Sequence, residues 1–486
     1  MKYQNTVVCA AMMAILLSAC AGESSNPVIT ETEKLLTTEV VTEALITDNL
    51  PERDFGGADY TVLAAAEHCI NKYYLDEATG DVVDDAVFER NRTVEDRFNI
   101  KFVYETLNGY SAGKTEVKAR LDNAVMSGDA TYDHFIGDTF YVTGSVMGGV
   151  FTNLLDLEYL DFSQPYWLQH VNPNLRVAGT QFFACGAYDL QAVSENWIIM
   201  FNKEVATEFD MTSFYDDVRD GSWTIDKFLS YAKQVPQDLD GNGKFNESDR
   251  FGLVSTAQEA FYAFPYGMGR TITAVGDDGI PYLTGVDDRI VTMMEKLTYL
   301  LKEDHLYFGS DSAIPADQIV PMFANNQSLF LCYLLRIIET EDVRNACDFG
   351  ILPIPKYDEE QKDYLTTLPA FATAIPFVCP DLERSQIIIE ALNSASYTMT
   401  LPIYKERALQ RKLTRDDESA EMLDIIFAGG VCDFGLAYVS ELDPKLYSVG
   451  LILQNQEYAT WWAKNEKSLT TKLNKLIETM ESLKDR

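Results

Sequence analysis

The 486-residue chain carries 39 basic and 75 acidic side chains, which gives a formal net charge of −36. This acidity excludes a basic groove for nucleic acid, and a content of 47% hydrophobic and 12% aromatic residues excludes a disordered chain. The length exceeds what one core usually supports, so we expect two or three lobes.

The first segment of the chain has the features of a secretion signal. Lys2 precedes an apolar run over residues 7–17, which as a helix would span only about 16 Å, too short for a bilayer core of about 30 Å. The run ends in Leu-Ser-Ala-Cys, residues 17–20, which resembles the lipobox of bacterial lipoproteins. We therefore expect a signal peptide over 1–19 and a lipidated Cys20 that anchors the exported protein to the outer face of the cytoplasmic membrane. Ordinary signal cleavage near the same small residues is the alternative.

A flexible tether over 20–52, rich in Ser, Thr and Glu, precedes a region in which strands and helices alternate. Buried apolar runs predict strands, and apolar residues three or four positions apart predict helices. The predicted strands cover residues 60–65, 100–106, 132–138, 196–203, 250–254, 328–333, 349–355 and 372–377. The predicted helices cover 84–98, 116–126, 289–301 and 382–395, with another capped by Thr224 and a long one at the C-terminus. This alternation is typical of α/β units around largely parallel sheets.

Residues 238–249, Asp-Leu-Asp-Gly-Asn-Gly-Lys-Phe-Asn-Glu-Ser-Asp, have the spacing of a calcium-binding loop. The predicted ligands are five side chains and one backbone carbonyl, that of Lys244: Asp238, Asp240, Asn242, Lys244, Asn246 and Asp249. The loop occurs once, and a predicted strand follows it where a calcium sensor would have its second helix. We therefore expect a structural calcium clip; a plain acidic turn is the alternative.

The sequence gives little support for an enzyme. The four histidines show no HExxH pairing, and no phosphate-binding glycine loop is present. The cysteines lack metal-ligand spacing, so no zinc site is expected. We therefore expect a binding protein. A calcium-dependent surface adhesion or signalling protein is the alternative, with a carbohydrate-active enzyme as a weaker one.

Several segments, in this order, resemble the extracellular solute-binding protein family 1, the maltose-binding-protein-like sugar-binding lipoproteins of ABC importers. The segments that carry the resemblance are the lipobox at 17–20, GDVVDDAVFERNRTVEDRFNI (80–100), YDHFIGD (132–138), GGVFTNLLDL (148–157), IIMFNKEV (198–205), FGILPIPKYDEEQKDY (349–364) and TRDDESAEMLDIIF (414–427). The resemblance implies a two-lobed periplasmic-binding-protein-like α/β fold of type II, with hinge strands around a central cleft.

The resemblance also implies a domain division, a ligand and partners. Lobe one would comprise residues 53–198 and 366–400, and lobe two 199–365 and 401–486. The ligand would be a small solute, most simply an oligosaccharide, held by a monomer and delivered to separate ABC permease subunits.

A sugar site needs aromatic rings for the flat faces of the sugar, and carboxylates or amides for its hydroxyls. Asp138 and Tyr141 follow a predicted strand, and Glu195, Asn196 and Trp197 enter the predicted hinge strand. For Asp138, capping of the next helix is the alternative, and for Trp197 burial in the hinge. The resemblance adds Tyr333, Arg336 and Tyr404, and of the adjacent Trp461 and Trp462 we assign Trp461 to the site.

Overall fold

Strands and helices alternate along the chain. The protein is described by a computed structural model, which covers residues 48–109, 113–302, 306–308, 316–340, 343, 347–368, 371–410, 417–446 and 457–485. The strands are β1 (Ala58–Ala65), β2 (Ile100–Thr106), β3 (His134–Asp138), β4 (Trp197–Asn202), β5 (Phe251–Val254), β6 (Thr273–Val275), β7 (Pro281–Leu283), β8 (Tyr307–Phe308), β9 (Ser328–Leu334), β10 (Phe349–Leu352), β11 (Thr366–Thr367), β12 (Phe371–Ala374) and β13 (Gly430–Val431). The α-helices are Val82–Phe98, Lys114–Ser127, Thr139–Met147, Leu190–Ser194, Lys203–Glu208, Phe214–Arg219, Ile225–Ala232, Ala257–Gly267, Asp288–Lys302, Ala316–Ala324, Leu382–Gln410, Asp417–Ala428, Phe434–Ala437, Val439–Leu442 and Tyr458–Ser482.

The first sheet has the order β12-β3-β1-β2. β1 runs parallel to both β2 and β3, whereas β12 is antiparallel to β3. Tyr60, Val62 and Leu63 on β1 are fully buried, as expected for a parallel strand with both faces covered. The sheet is therefore the centre of an α/β lobe.

The long helix Leu382–Gln410 is fixed to the first sheet by a buried ion pair. Asp133, just before β3, accepts hydrogen bonds from Arg384 Nε (3.1 Å) and Nη2 (2.6 Å), and from the backbone N–H of Thr61 (2.9 Å). Because the carboxylate is fully buried, these donors replace the water that it loses on folding.

The second sheet has the order β10-β4-β9-β5-β8. β4 is antiparallel to both β9 and β10, and β5 is parallel to β8 and β9. Ile198, Ile199 and Met200 at its centre are fully buried, so this sheet also has covered faces. It forms the second α/β lobe.

The connections between the two sheets run side by side. The chain leaves the first sheet after β3, enters the second at β4 and returns to the first at β12. β11 pairs with β13 next to the start of β4, where the N–H of Trp197 donates to Thr366 Oγ1 (3.0 Å). The N–H of Leu335 donates to the carbonyl of Asn196 (2.8 Å). These segments are the connecting strands of the fold.

Two predicted lobe boundaries fall inside continuous elements. The boundary after residue 198 lies within β4, since Trp197 and Ile198 pair with the second sheet. The boundary after residue 400 lies within Leu382–Gln410. The C-terminal helix Tyr458–Ser482 contacts both Thr139–Met147 and Asp288–Lys302, so it lies against elements from both halves. Among the described residues, no helix combines the length and apolarity needed to cross a membrane.

Candidate functional site

Glu195 lies at the point where the chain enters the second sheet. It follows the helix Leu190–Ser194, is half-buried and accepts a hydrogen bond from Gln191 Nε2. Burial raises the pKa of Glu195, and the charge of Arg336, the Gln191 hydrogen bond and the charge of Lys72 oppose that rise. The site thus contains a partly desolvated carboxyl group that faces two cations.

Arg336 and Tyr333 come from the end of β9 and the 3-10 helix that follows it, Leu335–Glu339. The guanidinium carbon of Arg336 lies 5.9 Å from the centre of the Tyr333 ring. Tyr333 pairs in register with Ile198, three residues after Glu195 in the chain. Strand pairing therefore holds an aromatic ring and a cation next to the Glu195 carboxyl group.

His68 contributes an imidazole ring to the site from the first sheet. It lies in the 3-10 helix Glu67–Lys72 directly after β1, and its ring centre is 6.1 Å from that of Phe371, at the start of β12. Partial burial and the charge of Arg336 lower the pKa of His68, while Glu67 opposes them. The lowered pKa favours the neutral form of the His68 imidazole, which both donates and accepts hydrogen bonds.

Trp197 and Tyr262 form an aromatic pair on the side of the second sheet. Their ring centres are 6.1 Å apart and their planes meet at 80°, an edge-to-face arrangement. Trp197 is only 3% exposed, whereas Tyr262, in the helix Ala257–Gly267, is half-buried. Trp197 therefore supports the ring of Tyr262, which has the surface that a ligand could contact.

Asp138 ends β3 and lies opposite Phe371 in the β3–β12 pairing. Burial raises the pKa of the Cys432 thiol, and the charges of Asp433 and Asp138 raise it further. Asp138 therefore lies near the residues that follow β13. Tyr141 belongs to the next helix, Thr139–Met147, but its side chain lies outside the described part of the structure.

We call these residues the strand-end cluster, because all of them except Tyr262, which lies on a helix, are at or next to the end of a strand. Its members are His68, Asp138, Glu195, Trp197, Tyr262, Tyr333, Arg336 and Phe371. The cluster combines a cation, carboxyl groups, a neutral imidazole and aromatic rings. Such a set can stack on an apolar face and hydrogen-bond to hydroxyl groups around it.

Three residues predicted for the site lie elsewhere. Asn196 points away from the Glu195 side of the chain: its Nδ2 donates to the carbonyl of Val193 (2.8 Å), and its side chain lines another pocket.

The other two residues are in the protein interior. Tyr404 is 3% exposed and donates its hydroxyl to Glu339 Oε1 (2.8 Å), so its ring is not free to stack on a ligand. Trp461 is 7% exposed and packs on Tyr458, with 5.8 Å between ring centres. Trp462 is buried to the same extent, since both rings face the core beneath the C-terminal helix.

Sequence reasoning missed His68, Tyr262 and Phe371. His68 follows the strand predicted over 60–65, so the criterion applied to Asp138 would also have selected it. Phe371 precedes the strand predicted over 372–377 by one residue. Tyr262 carries no comparable signal, because it reaches the cluster through the packing of a helix several residues beyond β5.

The acidic loop connects the helix Ile225–Ala232 to β5. Oxygen atoms of Asp238, Asp240 and Asp249 all lie within 4.8 Å of one another. Asp238 accepts from the N–H groups of Gly241 (2.7 Å) and Gly243 (2.8 Å), and buried Asp249 accepts from those of Leu239 (2.9 Å) and Asn246 (2.8 Å). A tight turn that gathers carboxylate oxygens in this way suits the oxygen coordination of calcium.

The predicted signal peptide over 1–19, the predicted lipidation site Cys20 and the predicted tether up to residue 47 lie outside the described residues.

Comparison with known proteins identifies the fold. No family model and no curated protein sequence matches the chain. Among solved structures, an ABC substrate-binding protein from Listeria monocytogenes in complex with cycloalternan matches with a TM-score of 0.50 and 16% identity, covering 87% of this chain and 99% of that one. A cyclo/maltodextrin-binding protein complexed with maltotetraose matches with a TM-score of 0.51 and 13% identity, over 90% and 98% of the two chains.

The GacH receptor of Streptomyces glaucescens, solved unliganded and with acarbose, matches with a TM-score of 0.51 and 12% identity, over 85% of this chain and 99% of that one. All three matches extend over nearly the whole of the solved chains. At these identities they establish the fold, which is the two-lobed α/β fold of maltose-binding-protein-like solute-binding proteins. The fold expected from the sequence is thereby confirmed.

Proposed function

We propose that this protein is the extracellular solute-binding receptor of an ABC importer and that it binds an oligosaccharide at the strand-end cluster. The observation that carries the proposal is the convergence of chemically complementary groups from both sheets. His68 and Asp138 come from the first sheet, Tyr333 and Arg336 from the second, and Glu195 from the segment between them. A ligand held by all of them would join the two lobes, and hinge closure would bury it.

The chemistry of the cluster favours a sugar over other small solutes. Glu195 and Asp138 can accept hydrogen bonds from hydroxyl groups, Arg336 can donate to them, and the neutral His68 can do either. Tyr262 and Tyr333 offer rings for the apolar face of a pyranose. The three similar structures are described as binding or receptor proteins and hold oligosaccharides, which supports a receptor that does not alter its ligand.

Lipid anchoring and delivery to a permease are parts of the same proposal. The lipobox-like residues 17–20 support a thioether-linked lipid on Cys20, which would keep the receptor close to its membrane partners. The Cys20→Ser variant should be released from the membrane fraction into the medium when expressed in a bacterium that processes lipoproteins. Retention of that variant by the membrane would overturn the anchor.

The acidic loop would hold one calcium ion as a structural clip. Asp238, Asp240, Asn242, Asn246 and Asp249 would supply side-chain oxygens, and Lys244 a backbone carbonyl. The ion would neutralise carboxylates that lie within 4.8 Å of one another and thereby fix the connection to β5.

Binding of oligosaccharides tests the proposal directly. Mature protein that begins at residue 21 should show a raised melting temperature with a linear or cyclic glucose oligosaccharide, and calorimetry should give a saturable Kd. Glu195→Gln and Arg336→Met should each weaken the binding by about 10- to 100-fold, because each removes a charge-assisted hydrogen bond worth about 1.5–3 kcal/mol.

The matched control is Glu383→Gln, the same chemical change at an exposed carboxylate that pairs with Arg53 on the surface. It should bind the sugar as the unsubstituted protein does. If a peptide or a polyamine binds while every oligosaccharide fails, the carbohydrate assignment is wrong. If a sugar binds and neither site variant weakens it, the assignment of the strand-end cluster is wrong.

A further inference from the structure

A pocket lies against the connections between the two sheets, where Asn196, Leu368 and Gly430 line it. Its walls are largely apolar and include Leu168, Val171, Leu368, Leu401 and Phe427, and its cavity volume is about 150 Å³. The exposed residues Gln169 and His170 at its wall indicate that the pocket opens to solvent. A cavity of this volume accommodates a ring of the size of benzene.

The wall contains one polar group whose partner is missing among the described residues. Asn196 is 3% exposed, and its Nδ2 donates to the carbonyl of Val193 (2.8 Å), but no described residue donates to its Oδ1. Gly430 lies beside this oxygen: a methyl group added there would be 3.7 Å from it. A buried amide oxygen that lacks a donor costs free energy, which a ligand hydroxyl or N–H would recover.

The charge on the wall is already compensated. Lys405 Nζ lies 3.8 Å from Asp424 Oδ1 and 5.0 Å from the centre of the Phe427 ring. An anionic ligand would have to compete with this carboxylate, and the apolar walls would not solvate any charge. The pocket therefore suits an uncharged ligand.

We infer that this pocket is a second binding site, for a small apolar alcohol or phenol whose hydroxyl donates to Asn196 Oδ1. The ring of the ligand would fill the space between Leu368, Leu401 and Phe427. A lone water molecule fits the pocket less well than such a ligand, because a buried water usually makes about three hydrogen bonds. Among the described wall residues, the unsatisfied buried side-chain acceptor is Asn196 Oδ1.

This site is separate from the proposed sugar site. Glu195 and Trp197 contribute to the strand-end cluster and do not line this pocket, whereas Asn196 between them does. The two sites therefore share a stretch of backbone but no side chain, and either can exist without the other.

Phenol and anisole form a matched pair of probes, because they have similar rings and only phenol has a hydroxyl donor. Binding to the mature protein can be followed by calorimetry and by the side-chain amide signal of Asn196 in ¹⁵N-edited NMR spectra. Phenol should bind saturably, about tenfold more tightly than anisole, and should shift the Asn196 signal.

Two variants locate the binding. In Gly430→Ala the added methyl makes ordinary contacts, 3.5 Å from Leu368 Cδ2 and 3.7 Å from Asn196 Oδ1, and it occupies the space beside the acceptor. Leu401→Trp fills the ring space, and unchanged melting temperatures would show that both variants fold. Both should weaken phenol binding at least fivefold. Equal binding of phenol and anisole, no saturable phenol binding, or phenol binding that a folded Gly430→Ala protein retains would each overturn the inference.

Discussion

Glu390 shows what a buried carboxyl group requires in this protein. It is 2% exposed, in the middle of the helix Leu382–Gln410, and it accepts hydrogen bonds from the hydroxyl of Tyr166, from Trp167 Nε1 (3.0 Å) and from the N–H of Asp161 (3.3 Å). Burial raises its pKa from 4.5 to about 7, although the three donors oppose that rise. The folded protein therefore holds a proton on Glu390 in a pH range where the unfolded chain has released it.

This difference predicts a pH dependence of stability. Since the folded state binds the proton more tightly, the free energy of unfolding should fall as the pH rises from about 4.5 to about 7, by up to an order of 3 kcal/mol, and should then level off. Glu390→Gln should lack this part of the decline. Urea denaturation of both proteins between pH 5 and pH 8 measures it.

The exposed Glu383→Gln variant on the same helix is the control, and its stability should follow that of the unsubstituted protein at each pH. If Glu390→Gln and the unsubstituted protein lose stability in parallel, the carboxyl group is not the origin of the effect.

At the level of single residues, the sequence predicts a site residue only where that residue lies next to a predicted strand. Glu195 and Arg336 lie next to predicted strands, and the structure brings them together. Asn196 is adjacent to Glu195 in the chain, but its amide donates to the carbonyl of Val193 and its side chain lines a pocket to which Glu195 does not contribute. Tyr404 and Trp461 were assigned as aromatic ligands, but only tertiary packing decides whether an aromatic ring faces a cleft or the core.

Among the elements, the helix Leu382–Gln410 extends well beyond the predicted end at residue 395. Five of the residues 394–400, Ser394, Ser396, Tyr397, Thr398 and Thr400, are weak helix formers, and Pro402 normally ends a helix. The hydroxyls of Thr398 and Thr400 donate to backbone carbonyls four residues earlier, and the helix packs along Val82–Phe98. Tertiary packing thus carries the helix through a segment of weak local preference, beyond the predicted end.

The acidic loop predicts a calcium effect on stability. Removal of calcium with a chelator should lower the melting temperature of the mature protein, because an ion that binds only the folded state stabilises it by about 2.7 kcal/mol at 100 times its Kd. The variant Asp238→Asn with Asp240→Asn should have a lower melting temperature and no longer respond to calcium. Scanning calorimetry with calcium and with chelator gives both values.

The sugar affinity of this double variant should change less than twofold, since no residue of the loop belongs to the strand-end cluster and the loop lies between a helix and β5. Loss of sugar binding by a variant that still folds would contradict a purely structural role for the ion. An unsubstituted protein that ignores calcium would contradict the clip itself.

For the whole molecule, one ion pair joins the segments that follow strands of different sheets. Lys72, after β1, lies 2.9 Å and 3.1 Å from the two carboxylate oxygens of Glu339, after β9. Tyr404 on the long helix donates to the same carboxylate, at 2.8 Å. The contact links the two lobes beside the strand-end cluster.

Lys72→Met should therefore favour separated lobes. Ligand affinity should fall about two- to fivefold, because a partly exposed ion pair contributes at most about 1 kcal/mol. The radius of gyration of the ligand-free protein, measured by small-angle X-ray scattering, should increase. Lys296→Met is the matched control, because Lys296 pairs with Asp226 (2.8 Å) away from the cluster. Unchanged affinity and an unchanged radius in Lys72→Met would show that the pair does not hold the lobes together.

The return of the chain to β12 has a consequence for the order in which the protein can fold. β3 stays an edge strand, with its outer hydrogen-bonding groups unpaired, until the ribosome has made every strand of the second sheet and then residues 371–374. Pairing between segments so far apart in the chain is slow, since a very long loop must close first. The N-terminal half therefore emerges as a chain that has not completed its sheet, and the native fold forms only when nearly the whole polypeptide is available.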